Sequence, residues 1–538
     1  MQLQETRAIA PSSQDEVDEQ TQKTQAYSVE TVSQGGAGRM VTVPLQLMHD
    51  QAFLMEQQKT PYLDALIAYV KEGVAPFHVP GHKQGRGIHS KLKALIGPYL
   101  SMDLTEVQGL DNLSSPTGVL KEAQALAAKA FGVDRSYFLV NGSSSGLHTM
   151  FLTVCNPGET VLLPRNAHKS AYAGLILSGA IPIYMKPEID QALHVDHAVT
   201  LETLRKALDA NPNVKAVLLV SPTYYGVSAD VKHYVERIHV AGKIAMVDEA
   251  WGPHLHFHPE LPMSAVDAGA DLVINSTHKI LSSLTQTSIL HLSGNRVDRG
   301  RLEAALHLLL TTSPNCLLLA SVDACRMQMA TEGEVLLEQV IRLASGARER
   351  INQIPGVHCT GREIVGKPGV YDLDQTKLMI SATDLGYTGY ELENYLRKNH
   401  HVQVEMSDLF HVMALVTIGD SEVEVNRLVN ALKAIPANPE NGFLKSRKSK
   451  VIKFPDFPPL RLTPREAFVA PNERVPLKQA VGRVSSELIT TYPPGIPDLV
   501  PGEEITTEVL DYFLIEKEAG SRITGASDST LQTIRVVK

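Results

Sequence analysis

A series of short apolar runs, each closed by a polar or small-residue turn, restricts this chain's fold more than any other feature. They are "SYFLV" (136–140), "TVLLP" (160–164), "KAVLLVSP" (215–222), "IAMVDEA" (244–250) and the opening of "LVINSTHKILSSLTQTS" (272–288). Helical patterns accompany them at 120–131 ("LKEAQALAAKAF") and 146–154 ("GLHTMFLTV"). A strand with a continuous apolar run is covered on both faces. The alternation therefore predicts a mainly parallel sheet flanked by helices, an α/β fold. Ligands of such sheets gather beyond the carboxyl ends of the strands, so those ends are where chemistry is expected.

At 538 residues the chain exceeds one core. Residues 1–44 are rich in Gln, Ser, Thr and acids, and are expected to form a disordered tail. Within it "GGAG" (35–38) follows no strand and reads as a linker, not a phosphate loop. Residues 45–75 are expected to be a helical segment, with Leu63, Leu66, Ile67 and Val70 at helical spacing. A large domain is expected over 76–330, opening on the Gly- and Pro-dense "PFHVPGHKQGRG" (76–87). A smaller α+β domain follows over 331–437, with "KLMISA" (377–382) as a strand and "TGYELENYLRKN" (388–399) as a helix. The basic, Pro-punctuated stretch 438–459 reads as a linker, and 460–538 as a small C-terminal domain.

A net charge of −9 disfavours nucleic-acid binding. Cys155, Cys316, Cys325 and Cys359 form no CxxC pair, so neither a disulfide framework nor a Cys-based zinc site is expected. No apolar run reaches the ~18 residues of a membrane span. The N-terminus lacks a basic segment followed by a hydrophobic one. A soluble, cytoplasmic protein is the expectation.

Four stretches at strand ends carry chemistry. In "VNGSSSGLH" (140–148) a strand runs through a Gly/Ser turn into a helix; its first N–H groups, with the hydroxyls of Ser143 and Ser144, suit a phosphate. In "RNAHKS" (165–170), His168 can lie flat against a planar group or simply cap a helix. In "MVDEAWG" (246–252), Asp248 ends a buried strand and needs a partner; the protonated nitrogen of a pyridine ring fits, with the small Ala250 against the ring face. In the stretch 272–288 the strand delivers Lys279, flanked by Ser276 and His278. Together these are the parts needed to hold pyridoxal 5′-phosphate: a phosphate turn, a partner for the ring nitrogen, two ring-face residues, and a lysine to bond the aldehyde covalently. Burial would lower the Lys279 pKa, which a nucleophilic amine requires.

The chain resembles the Orn/Lys/Arg decarboxylases, of fold type I (aspartate-aminotransferase-like) among pyridoxal-phosphate enzymes, over roughly 60–538. The resemblance rests on "FHVPGHKQG", "GSSSG", "RNAHKS", "SPTYYG" (221–226), "VDEAWGPHLHF", "STHKILSSLTQTS", "EMSD" (405–408) and "YPPGIP" (492–497). Its compact layout is most similar to the short bacterial biosynthetic arginine decarboxylases. The resemblance implies decarboxylation of a basic amino acid in polyamine biosynthesis, arginine to agmatine first, with lysine and ornithine as alternatives. It implies phosphate contacts from Ser143, Ser144, Ser276 and His278, and a homodimer or higher homo-oligomer. Thr285 and Gln286 would then reach the neighbouring subunit's cofactor. Ser145 stands where many relatives have Gly, and Trp251 where the most similar type often has His; the first bears on the phosphate turn, the second on the substrate. His82, Asp111, Trp251, Glu405 and Asp408 are the candidate substrate residues, because a basic side chain needs a carboxylate at the far end of its pocket.

Other readings compete. "PHLHFHPE" would place His254, His256 and His258 on one face of a strand, as in a metal-dependent hydrolase. A non-catalytic regulatory homologue is a second alternative. Within the fold, an aminotransferase would clamp the substrate carboxylate with an arginine in the small-domain strand; "KLMISA" has none, which favours decarboxylation with no metal.

Overall fold

The computed structural model describes residues 26–30, 40–436, 456–492 and 495–538, and these divide into two units, 1–56 and 57–538. In the first, Ala26–Glu30 pairs antiparallel with Met40–Pro44, followed by a helix over Leu45–Gln57. The expected tail is thus not structureless where it is described. "MVTVP" alternates β-branched valines with Thr42, the pattern of a strand. Residues 1–25 and 31–39, which include "GGAG", lie outside the described residues, as do 437–455 of the expected linker and Pro493–Pro494 of "YPPGIP".

In the second unit, seven strands form the central sheet: β1 (Arg135–Leu139), β2 (Thr160–Pro164), β3 (Ile181–Met185), β4 (Ala216–Val220), β5 (Ile244–Asp248), β6 (Leu272–Asn275) and β7 (Ser288–Leu292). Their order is β1-β7-β6-β5-β4-β2-β3. Strands β6, β5, β4, β2 and β3 are mutually parallel, whereas β7 runs antiparallel to both β6 and β1. Both faces are buried, as the unbroken apolar runs require. Leu162, Val217, Val247 and Val273 enter the core on one side, and Val161, Leu218, Met246 and Ile274 that on the other. The expected α/β fold is observed.

Helices Gly142–Val154 and Lys169–Ser178 follow β1 and β2. A 36-residue helix, Cys316–Ile351, leads to a second, four-stranded antiparallel sheet containing Lys377–Ser381, Met406–Ser407 and Val412–Leu415. Arg348 ties that helix to the sheet by donating to the carbonyls of Thr360, Gln375 and Lys377 at 2.8–2.9 Å. The C-terminal region adds a three-stranded sheet (Pro497–Leu499, Ile489–Tyr492, Arg522–Thr524) and helix Thr507–Ala519.

One buried ion pair joins that region to the central sheet. Arg165, one residue beyond β2, donates from Nε and Nη2 to the two carboxylate oxygens of Glu503, both at 2.9 Å, and from Nη1 to the Pro497 carbonyl at 2.6 Å. Both side chains are shut off from solvent. Removing one partner strands the other charge in the core, a penalty of about 3–5 kcal/mol. Glu503→Gln is therefore expected to lower the denaturation midpoint sharply, while a surface control, Glu202→Gln, leaves it nearly unchanged. Chemical denaturation of the two variants checks this.

Candidate active site

Beyond the carboxyl ends of β1, β2, β4, β5 and β6 lies a cavity of about 1310 Å³, its open mouth included. Its lining unites Ser143, Ser144, His168, Asp248, Ala250, Trp251, Ser276, His278, Lys279, Thr285, Gln286 and Glu405. Residues spread over more than 260 positions are brought together because parallel strands all end at one edge.

The cavity floor is a helix start. Gly142 turns the chain with φ +70°, a conformation suited to glycine, and the helix Gly142–Val154 begins there. Ser143 Oγ lies 2.5 Å from Ser276 Oγ and 3.0 Å from Ser288 Oγ, joining the helix to the ends of β6 and β7. Close approach is possible because residue 146 is glycine: a Cβ there would meet Ile274 Cδ1 at 2.4 Å. Ser145 points away from the cavity and donates to the Gly142 carbonyl at 2.8 Å, so the departure at this position closes the turn without obstructing it. His278 shares a 2.7 Å hydrogen bond with the Thr287 carbonyl through Nδ1, and burial holds its pKa down.

His168 caps the helix Lys169–Ser178, with Nδ1 accepting the Ser170 N–H at 3.3 Å and lying 2.5 Å from Ser170 Oγ, and it also lines the cavity. The two roles that its position suggested coexist. Burial, reinforced by Lys279, pushes its pKa down to about 3, so the ring is neutral. Asp248 is 7% exposed and accepts one hydrogen bond, from the Ala250 N–H to Oδ1 at 3.1 Å. Its other oxygen has no partner among the described residues. Burial raises its pKa against the pull of Lys279.

Lys279 Nζ lies 4.2 Å from the centroid of the Trp251 ring. Burial brings its pKa down to about 8; Asp248 and Glu405 oppose that shift, and Lys377 assists it. Lys377 opens "KLMISA", where nothing local marks it as part of the site. It is 1% exposed, pairs with Asp374, and donates to the Trp251 carbonyl at 3.0 Å. Pro222 and Tyr224 of "SPTYYG", Asn141 of "VNGSSSGLH" and Ser170 of "RNAHKS" also line the cavity.

Of the candidate substrate residues, Trp251 and Glu405 line the cavity and three do not. Asp111 accepts N–H groups from Asn112, Thr117, Gly118 and Leu120, organising the start of the helix Val119–Ala130. Asp408 accepts the Tyr225 hydroxyl at 2.8 Å and the N–H groups of Phe410 and His411. His82 bonds Asp103 at 2.9 Å and accepts the Gly85 N–H. The triple histidine does not form a strand face: Leu255–Phe257 is a 3₁₀ turn. His254 pairs with Asp374, His256 with Asp267, and His258 with Glu338, each in a different place. The premise of the hydrolase reading fails.

Residues 60–424 match the family model "Orn/Lys/Arg decarboxylase, major domain", and 449–531 match "Orn/Lys/Arg decarboxylase, C-terminal domain". The chain belongs to the Orn/Lys/Arg decarboxylase family. It is 44% identical to an arginine decarboxylase of Bacillus subtilis, covering 90% of this chain and 99% of that one. It is 43% identical to an arginine decarboxylase of Halalkalibacterium halodurans, over the same shares. The constitutive lysine decarboxylase of Escherichia coli is 25% identical, over 88% of this chain and 81% of that one. Among solved structures, the lysine decarboxylase of Francisella novicida shares the fold, with TM-score 0.76 and 23% identity over 89% of this chain and 81% of that one. Among the described residues, no helix is long and apolar enough to cross a membrane.

The buried amine of Lys279 has a titration that can be measured. In the ligand-free protein, labelling of Lys279 by an amine-selective reagent should rise with pH through a midpoint of about 8. Asp248→Asn removes an anion that favours the charged amine, so the midpoint should move lower. Peptide mass spectrometry across a pH series checks both.

Proposed function

We propose that this chain decarboxylates L-arginine to agmatine and carbon dioxide with pyridoxal 5′-phosphate as cofactor. The observation that carries the reading is the meeting, in one cavity, of Lys279 and a buried Asp248 with one unpartnered oxygen, beside a serine-lined helix start. This donor set fits the cofactor. The helix N–H groups with Ser143, Ser144, Ser276 and His278 would hold its phosphate. His168 and Ala250 would flank the ring, Asp248 would take the ring nitrogen, and Lys279 would bond the aldehyde. When bound, the cofactor accepts the electron pair that remains at Cα as carbon dioxide leaves.

The chain's own groups set the conditions. Asp248, once paired, keeps the proton on the ring nitrogen. His168, held neutral, adds no competing charge beside the ring. A proton must replace the lost carboxylate at Cα, and Lys279 is the one amine among the described lining residues. Asp248 and Glu405 are the two carboxylates there. With Asp248 engaged, Glu405 is left to receive the guanidinium at the cavity mouth, and the Trp251 ring offers it an aromatic face. The higher identity to arginine decarboxylases than to lysine decarboxylases favours arginine over lysine.

The active form is a twofold dimer in this reading. Thr285 and Gln286 line this chain's own cavity and are exposed, as residues at a shared rim would be. His82 and Asp111 lie outside that cavity, so a part in substrate binding requires a second chain's site.

An assay offering arginine, lysine and ornithine at equal concentration, with products separated, should yield agmatine with the highest kcat/KM; cadaverine in excess would overturn the substrate assignment. Lys279→Ala should lose turnover by orders of magnitude, and borohydride should fix the cofactor to Lys279 in the wild type. Glu405→Gln should weaken arginine binding by about 1.5–3 kcal/mol, read as a raised KM. Heterodimers of Lys279→Ala with an inactive Gln286 variant should regain part of the activity if the sites are shared.

A further inference from the structure

A second cavity, of about 660 Å³ with its open mouth included, is separate from the one holding Lys279. Tyr224 lines the candidate active site, whereas its neighbour Tyr225 lines this one. Its walls come from the central sheet's connections, the small sheet and the C-terminal region. Four carboxylates contribute, Asp196, Asp408, Asp498 and Glu516, and no lysine or arginine does so among the described residues. Three phenols, Tyr225, Tyr390 and Tyr512, stand among the acids, and Phe410 stacks on His194 with ring centroids 4.1 Å apart.

The acids differ in what already satisfies them. Asp408 is engaged by Tyr225 and two backbone N–H groups. Asp498 accepts the Thr491 N–H and hydroxyl through Oδ2 alone, at 2.7 and 3.0 Å. Glu516, 2% exposed, accepts the Tyr390 hydroxyl at 2.8 Å and is also hydrogen-bonded by the Tyr512 hydroxyl. Asp196 has no hydrogen-bond or ion-pair partner among the described residues. The neighbouring guanidinium, Arg165, is committed to Glu503 at both ends of its fork. Burial, with repulsion from Asp498, pushes Asp196 up to about 7; burial takes Asp498 to about 6 and Glu516 to about 7. Without a cation, the cluster relieves its charge by holding protons.

The geometry also says which cation. A metal ion needs several ligands converging at about 2.0–2.6 Å, and no three His, Cys, Asp or Glu side chains among the described residues are so placed. Phenol rings set among separated carboxylates suit ammonium or guanidinium groups, which gain from both. Two undercompensated acids, Asp196 and Asp498, with Glu516 beside them, call for more than one positive charge, and a carboxylate on the ligand would be repelled. We propose that this cavity is a second, non-catalytic site for an aliphatic diamine or amino-guanidine, a chain cationic at both ends and free of carboxylate. The inference stands independently of the Lys279 chemistry. If that chemistry is as proposed, the product falls in this class and the substrate does not.

Calorimetric titration of 1,4-diaminobutane into the holoenzyme at pH 7, in two buffers of different ionisation heat, tests the proposal. Expected are saturable binding, net proton release as the acids ionise, and at least about tenfold weaker binding with reduced proton release in Asp196→Asn. That variant removes an unpaired, partly buried acid, so its melting temperature should not fall, and its kcat/KM should stay within about twofold of wild type. Glu516→Gln is the second variant, with the same expected loss of affinity. Absence of saturable binding, unchanged affinity in both variants, lysine binding as tightly as 1,4-diaminobutane, or equal displacement by KCl at matched ionic strength would each overturn it.

Discussion

Strands β5 and β6 run parallel with Met246 opposite Leu272 and Asp248 opposite Ile274, and the candidate site takes its geometry from that register. The strands end together, so Asp248 and the turn carrying Lys279 leave the sheet at the same level. Glu249 locks the two turns. Its N–H donates to the Ile274 carbonyl at 3.1 Å, and its buried carboxyl accepts Asn275 Nδ2 at 3.1 Å, the Ser264 hydroxyl at 2.8 Å and the Ala265 N–H at 2.7 Å. A slip of one residue would exchange the two faces of β6 and carry Lys279 away from Asp248. The glycine at 146 completes the arrangement by letting the helix start press against Ile274.

Electrostatics then follow from enclosure. Burial drives Asp248 and Lys279 toward their neutral forms, and their mutual attraction resists in both. The Lys279 amine, brought down to about 8, can therefore give up its proton close to neutral pH, while Asp248 beside it favours the charged amine. Trp251 sits where this balance is set, its ring over Lys279 and its carbonyl held by Lys377. Lys377 is in turn held by Asp374, which also binds His254. The small-sheet strand therefore supports the site through a buried ion pair beneath Trp251. The histidine suspected of binding metal belongs to that support.

Much of this was legible in the sequence because it is local. Apolar runs gave β1, β2, β4, β5 and β6 nearly to their ends, and the polar residues just beyond them are the ones that line the cavity. What escaped notice depends on distant pairing. Strand β3, "IPIYM", holds Pro182 and lies at the sheet edge, bonded to β2 alone, where a missing N–H is tolerated. Strand β7 reads like any other buried run, and nothing local shows that it enters antiparallel. The paired strands Ala26–Glu30 and Met40–Pro44 are hidden in a composition that averages to a polar tail.

The carboxylates show where local reading ends. Asp111 in "GLDNL", Asp408 in "EMSDLFH" and Glu405 look alike as candidates for a basic side chain. Their fates are decided by backbone donors. Asp111 and Asp408 sit in turns whose N–H groups have no other acceptor, and those donors claim the carboxylates first. Glu405 lies beside a strand, and its own N–H is spent on the Met413 carbonyl at 2.9 Å. Among the described residues no turn donors converge on its side chain, and Lys279 across the cavity lowers its pKa against burial. A carboxylate at a turn tends to be consumed by the fold, whereas one beside a strand at a cavity mouth stays available to a ligand. Glu405, rather than either aspartate, is thus the acid left free within this chain for the proposed contact with the substrate.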